Sequence, residues 1–194
     1  MVNKWYSLFS HTGSETKKLH LAGVSPVPLE AAITDNWDYN GDLATLGTRL
    51  YRIASREDIN WMLMQSHIIK DNSLITLNGY MGIVPAKVLQ NLHERGCKVY
   101  NIHPAPIQLY PELRGKDPQE RMYEGIQKRE YNYIGVVIHE VDAGVDTGKI
   151  VHWVLQLADP YMTKDELYER LHELGTQAWE SFFKERMYEN GENH

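Results

Sequence analysis

Apolar residues fall into short runs along this chain, and the spacing within each run predicts the element it forms. "WYSLF" near the start is a strand-length apolar run, broken by the polar "SHTGSE" at Ser10 to Glu15, with a helix expected from about Ser14. "LEAAIT", Leu29 to Thr34, reads as a second strand and gives way to the turn-rich "DNWDYNGD". Ser55 with Asp58 marks a helix start, and Ile59, Met62, Leu63 and Ile69 within "REDINWMLMQSHIIKDN" follow at roughly helical spacing. In that helix the stretch Met62 to Met64 reads as core filler. "SLITLNGY" has the near-continuous apolar character of a strand buried on both faces.

The second half continues the alternation. Pro85 opens the helix "PAKVLQNLHERG", which Gly96 ends, and "CKVYNI" is the next strand. A loop stiffened by Pro104, Pro106 and Pro111 leads to the helix "KDPQERMYEGIQK". "YIGVVIHEV", Tyr133 to Val141, and "GKIVHWVLQL" are strands joined through "DAGVDT". Thr163 and Glu166 form a capping box for a last helix whose apolar positions Leu167, Leu171, Leu174, Ala178, Phe182 and Met187 step by three or four. Strand–helix alternation of this kind implies crossover units, hence an α/β fold with a mostly parallel twisted sheet and helices on both faces. With 194 residues and no repeat, linker or low-complexity stretch, residues 1–194 are expected to form a single domain.

Composition narrows the partners. The net charge is −6, and the densest basic feature is Lys17-Lys18, too little for a large polyanion such as nucleic acid but no bar to a small phosphorylated ligand. No apolar run approaches the ~20 residues of a membrane span, and the start lacks a signal-peptide cleavage pattern. Cys97 is the only cysteine, so no internal disulfide is possible and a reducing cytoplasm is the expected location. The nine histidines show no metal-ligand spacing, and no metal is expected.

In an open parallel sheet, ligands collect beyond the carboxyl ends of the strands. Three polar clusters fall there: "SHTGSE", "NGYMG" and "NIHPAP"; "HEVDAGVDTG" lies between two late strands. Ser10, Thr12, Gly13 and Ser14 suit a phosphate seat at a helix N-terminus, or an N-cap and tight turn with no ligand. Asn101 and His103 alternate at the strand period, so both side chains leave one face, and Pro104 keeps the exit extended. An amide donor beside an imidazole suits oxyanion stabilisation with proton transfer; a structural Asn and a satisfied His read equally from the residues alone. Asp142 and Asp146 offer a carboxylate that could hold His103 in its charged form, or simply serve the turn.

"NIHP" followed some forty residues later by "HEVDAGVDTGKIV", together with "LITLNGYMGIVP", resembles the folate-dependent formyltransferases, nearest to those acting on glycinamide ribonucleotide. The resemblance implies a Rossmann-like fold and transfer of a formyl group from 10-formyltetrahydrofolate to a primary amine, glycinamide ribonucleotide in purine biosynthesis being the first choice. It implies a catalytic trio of Asn101, His103 and Asp146. Folate binding would fall to Tyr80, Met81, Gly82, Ile83 and Val84 and to Glu140, Val141 and Asp142, with Ser10, Thr12, Gly13 and Ser14 taking the acceptor's phosphate. No tRNA-binding domain is expected at this length, and a homodimer is possible. The sequence departs from the family where Gln108 replaces a usual proline, where His11, Thr12 and Glu15 stand in the N-terminal turn, and where "ELRGKDP" is similar to the tRNA and sugar enzymes. These departures motivate another amine acceptor, an amino-sugar nucleotide or a modified nucleotide. Hydrolysis of the formyl donor and a non-catalytic folate-binding module are further alternatives.

Overall fold

Strand β1 (Lys4–Phe9) is buried along all but its first residue, and β4 (Ser73–Leu77) along its whole length, as near-continuous apolar runs require. The computed structural model describes residues 2–191, with side chains as far as residue 185. Those residues form two compact units. One runs to Asn101 and takes in the chain again from Phe183; the other is Ile102–Phe182.

In the first unit, β1 pairs in parallel with β2 (Leu29–Thr34) on one side and with β4 on the other. β2 pairs onward with β3 (Arg49–Arg52), and β4 with β5 (Lys98–His103), giving the order β3-β2-β1-β4-β5. The chain therefore starts in the middle, builds one flank, then returns to build the other. Right-handed crossovers place helix α1 (Ser14–Ala22) on one face and α2 (Arg56–Leu63) and α3 (Ala86–Glu94) on the other, and α2 and α3 do pack together.

Local chemistry sets the helix ends as the sequence foretold. Ser55 caps α2 by accepting from the Asp58 N–H at 3.2 Å, and α3 follows Pro85 and gives way to Gly96 at φ 72°. Two expectations need correction. Helix α2 stops at Leu63 rather than continuing toward Ile69, although Met62 and Ile69 are both buried. The turn-rich stretch after β2 leads through a 3-10 turn (Leu43–Leu46) into β3, a strand the apolar pattern did not mark.

A buried polar chain crosses the carboxyl end of this sheet. Trp5 Nε1 donates to Thr76 Oγ1 at 2.8 Å, Thr76 donates to Asn78 Oδ1 at 2.5 Å, and Ser7 donates to the same oxygen at 2.9 Å. Thr16 of α1 meets Ser7 at 2.7 Å, so helix and strands are pinned to one amide. Trp5 also meets Phe183 edge-on, ring centres 5.4 Å apart.

In the second unit, β6 (Tyr133–Glu140) and β7 (Ile150–Leu157) pair antiparallel, Val136 opposite Val154. Helix α4 (Pro118–Gln127) precedes them and α5 (Lys164–Gly191) follows. The expected capping box of α5 is present: Thr163 Oγ1 accepts from the Glu166 N–H at 3.3 Å, and Glu166 accepts from the Thr163 N–H at 2.7 Å. Leu167, Leu171, Leu174, Ala178 and Phe182 are buried, while the side chain of Met187 lies outside the described residues. The fold is of the α/β class, with a parallel sheet in the first unit and an antiparallel pair in the second. Among the described residues no helix is long and apolar enough to cross a membrane.

Candidate active site

Strand β5 delivers Asn101 and His103 two residues apart, so the strand's alternation gives both the same face. His103 is buried and Asn101 partly so. Nδ1 of His103 lies 3.1 Å from Asp146 Oδ2, and its Nε2 lies 2.9 Å from the Leu113 carbonyl oxygen. Both ring nitrogens thus lie within hydrogen-bond distance of an oxygen.

Asp146 gathers the rest. Its Oδ2 also accepts from the Gly115 N–H at 2.9 Å, and its Oδ1 lies 3.4 Å from Nε2 of His139 on β6. Arg114 Nε donates to its backbone carbonyl at 3.0 Å. Burial pushes the Asp146 carboxyl up, but hydrogen bonds from His103 and His139, the charge of His103 and the Gly115 N–H outweigh it. The carboxyl is held well below the usual carboxylate range. The backbone at Asp146 is left-handed, φ 53°, a conformation Asp and Asn tolerate better than other side-chain-bearing residues. A buried, ionised carboxylate braced between two imidazoles can hold a cationic histidine and carry a proton to and from it.

The structure brings His103 and Asp146 together and adds His139, which sequence reading passed over. The available signal was a lone histidine inside the β-branched run "IGVVIHEV". Arg114 and Gly115 also belong here, as braces of Asp146. Asp142 serves its own turn: its Oδ1 accepts from the Gly144 N–H at 3.1 Å and from the Thr147 hydroxyl at 2.7 Å. Glu140 and Val141 lead into that turn, both partly exposed.

The remaining candidates cluster in the first unit, at the crevice beyond β1 and β4 where the strand order reverses, the usual position of a ligand in such sheets. Ser10 N–H donates to the Gly79 carbonyl at 3.1 Å, and Ser10 Oγ accepts from the Met81 N–H at 2.8 Å. Gly13 is left-handed at φ 61° directly before α1, where a Cβ would meet the Phe9 ring. Thr12 and Ser14 join hydroxyls at 3.1 Å, and Glu15 accepts from Asn78 Nδ2 at 2.9 Å, which draws its carboxylate onto the sheet end.

From Tyr80 to Val84 the segment alternates: Tyr80 and Val84 are buried, Met81 and Ile83 exposed. The Tyr80 hydroxyl is buried with no hydrogen-bond partner, and burial pushes its phenol up to about 12, so it remains a donor. An apolar, backbone-rich strip with one orphan donor fits a flat heterocycle. Among the described residues no three His, Cys, Asp or Glu side chains are grouped to hold a metal ion.

The sequence pattern of the family described as Formyl transferase matches residues 51–181. A methionyl-tRNA formyltransferase of Thermotoga neapolitana is 35% identical over 128 residues, covering 66% of this chain and 37% of that protein. A phosphoribosylglycinamide formyltransferase of Bacillus subtilis is 31% identical over 112 residues, 58% of this chain and 52% of that one. The chain therefore spans between about a third and a half of these curated relatives. Among solved structures, the phosphoribosylglycinamide formyltransferase of Streptococcus pneumoniae superposes with a TM-score of 0.74 at 27% identity, covering 95% of this chain and 96% of that one. A glycinamide ribonucleotide transformylase of Symbiobacterium toebii shares the fold at a TM-score of 0.78 and 22% identity, over 94% and 86%.

Proposed function

Since this chain belongs to the formyl transferase family, we propose that it is an enzyme that moves the formyl group of 10-formyltetrahydrofolate to a small phosphorylated primary amine, glycinamide ribonucleotide first among candidates. The observation that carries the reading is the His103–Asp146 pair at 3.1 Å, set at the end of the strand that bears Asn101. The folate supplies an activated formyl carbon; the residues do the rest. The acceptor nitrogen forms a bond to that carbon, and the carbonyl electron pair moves onto oxygen. Asn101 Nδ2 donates to this oxyanion. His103 keeps Nδ1–H on Asp146 and turns Nε2–H from the Leu113 carbonyl to the oxyanion. On collapse, the bond from carbon to the folate nitrogen breaks, the acceptor nitrogen gives up one proton, and the leaving nitrogen takes one up. Asp146 and His103 carry that exchange.

We assign folate binding to Tyr80, Met81, Gly82, Ile83 and Val84, and to Glu140, Val141 and Asp142; the orphan Tyr80 hydroxyl supports the first group. Ser10, Thr12, Gly13 and Ser14 are assigned to the acceptor's phosphate, supported by the left-handed Gly13 ahead of α1. The whole chain is then one catalytic domain working in the cytoplasm. A second reading, the same transfer to an amino-sugar nucleotide or modified nucleotide, is favoured by Gln108, whose buried amide has no hydrogen-bond partner at either end.

The deciding experiment supplies 10-formyltetrahydrofolate with a panel of phosphorylated amines and follows the formylated product by mass. Turnover with glycinamide ribonucleotide is expected. Turnover with another amine alone moves the assignment to the second reading, and formate release at an equal rate without any amine replaces transfer by hydrolysis.

A further inference from the structure

Three of the contacts that fix the His103–Asp146 pair come from one short turn. The Leu113 carbonyl faces His103 Nε2 at 2.9 Å, the Gly115 N–H donates to Asp146 Oδ2 at 2.9 Å, and Arg114 Nε donates to the Asp146 carbonyl at 3.0 Å. The turn has little of its own to hold it still. Its 3-10 segment, Pro111–Leu113, is closed by two backbone bonds, from the Leu113 N–H to the Tyr110 carbonyl at 3.0 Å and from the Arg114 N–H to the Pro111 carbonyl at 3.3 Å. Gly115 then leaves at φ 80°, and glycine is the residue least able to stiffen a chain.

The turn is anchored from both ends. Upstream, the Tyr110 hydroxyl accepts from the N–H groups of Asn132 and Tyr133, at 3.1 Å and 3.2 Å, which ties it to the start of β6. Downstream the anchor is Arg121, in the first turn of α4. Its Nη1 donates to the Glu112 carbonyl and its Nη2 to the Arg114 carbonyl, the latter at 2.7 Å. These two acceptors flank Leu113, so one guanidinium fork spans the residue whose carbonyl faces His103. Helix stability does not account for this placement. A cation in the first turn sits at the positive end of the helix dipole. Arg121 Nε is also buried without a hydrogen-bond partner, a desolvation cost left uncompensated.

We propose that Arg121 is a positioning residue for formyl transfer: its guanidinium fixes the turn at residues 112–115, and that turn sets the geometry of His103 and Asp146. The proposal rests on the catalytic reading of that pair. Arg121 acts through the backbone it holds, not on the reacting atoms. Two carbonyls two residues apart call for a rigid, planar fork, and an ammonium on a flexible stem is a point donor that covers one of them. With one carbonyl released, Leu113 and Gly115 are free to shift together. His103 then loses its fixed Nε2 partner and Asp146 loses an N–H donor. A misplacement of about 1 Å at a proton-transfer pair can cost about 10²-fold in rate. Binding of the two substrates does not depend on that alignment, so the loss falls on the chemical step.

Kinetics of Arg121→Lys, alone and combined with Asp146→Asn, test the proposal. The single variant is expected to lower kcat by about 10–100-fold while KM for donor and acceptor stays within about twofold. On the Asp146→Asn background the same change is expected to cost less than about threefold, because groups that act as a unit lose their contributions together. A merely structural arginine would give losses that multiply. The ring N–H spectrum of the histidines, recorded by nitrogen-15 NMR without substrates, supplies a readout free of turnover. The His103 signals, assigned by their loss in His103→Gln, are expected to move in Arg121→Lys, while those of His20 on α1 stay in place. Should the lysine variant unfold by circular dichroism, Arg121→Gln, which keeps a shorter stem and one amide donor, is put through the same measurements. A kcat within twofold of wild type, a loss carried by KM, losses that multiply across the pair of variants, or unmoved His103 signals overturns the proposal. A wild-type chain that formylates no amine removes the reading beneath it instead, and the ring spectra then decide by themselves whether Arg121 positions the pair.

Discussion

Asp146 does two jobs with one carboxylate, and a single substitution separates them from packing. Asp146→Asn keeps the size of the side chain and tolerates the left-handed backbone, but removes the charge that faces His103 and His139. Formyl transfer is expected to fall by about 10²–10⁴-fold, the usual worth of a proton-transfer group, measured as kcat with saturating donor. Stability carries a second signature. The folded carboxyl sits below the ordinary value near 4, so in acid the unfolded chain takes up this proton before the folded one does. The stabilisation is therefore complete above about pH 5 and is lost as the pH falls through the folded value. Urea melts of wild type and Asp146→Asn are expected to differ most at neutral pH and to converge toward pH 2. Strand alternation singles out Asn101 and His103, but Asp146 is chosen only through resemblance, because no spacing rule says which of the two loop carboxylates reaches the imidazole. Asp142 has the same surroundings in sequence and is spent on the Thr147 hydroxyl. His139 was hidden for the opposite reason: within a strand it looked like one more buried side chain, and only the 3.4 Å approach to Asp146 distinguishes it.

At the scale of elements, what the sequence shows best is where helices begin. Ser55 and Thr163 were both legible as caps, and both make the hydrogen bonds their positions require. Thr163→Ala removes the acceptor for the Glu166 N–H and is expected to lower stability by about 1 kcal/mol. In a chain of this size that is a drop of about 2–4 °C in Tm, read by calorimetry, with activity retained. Ends are harder. α2 stops at Leu63 although apolar residues continue beyond it, because Met64 to Ile69 go on in turns whose backbone bonds still bury Ile69. β3 escaped notice for a different cause. Its crossover from β2 uses a 3-10 turn in place of an α-helix, so the strand–helix rhythm has no beat there, and "RLYR" carries charge at both ends.

At the scale of the molecule, periodicity predicted the class but not the order of strands, since a parallel run reads the same whichever neighbour it joins. The reversal between β1 and β4 had to be seen. The return of α5 to the first unit was equally illegible, and it rests on the Trp5–Phe183 ring contact. Phe183→Ala is expected to destabilise the chain by about 3–5 kcal/mol, seen as a lower urea midpoint, because a fully buried ring leaves a cavity beside Trp5. The central place of β1 has one more consequence, in the time of synthesis. β1 leaves the ribosome before the strands it pairs with, and β2 follows within some twenty residues, yet its other neighbour, Ile75 beside Tyr6, is made nearly seventy residues later. At about 5–20 residues per second the nascent chain carries a half-clothed hydrophobic strand for several seconds, a window in which a chaperone can find it.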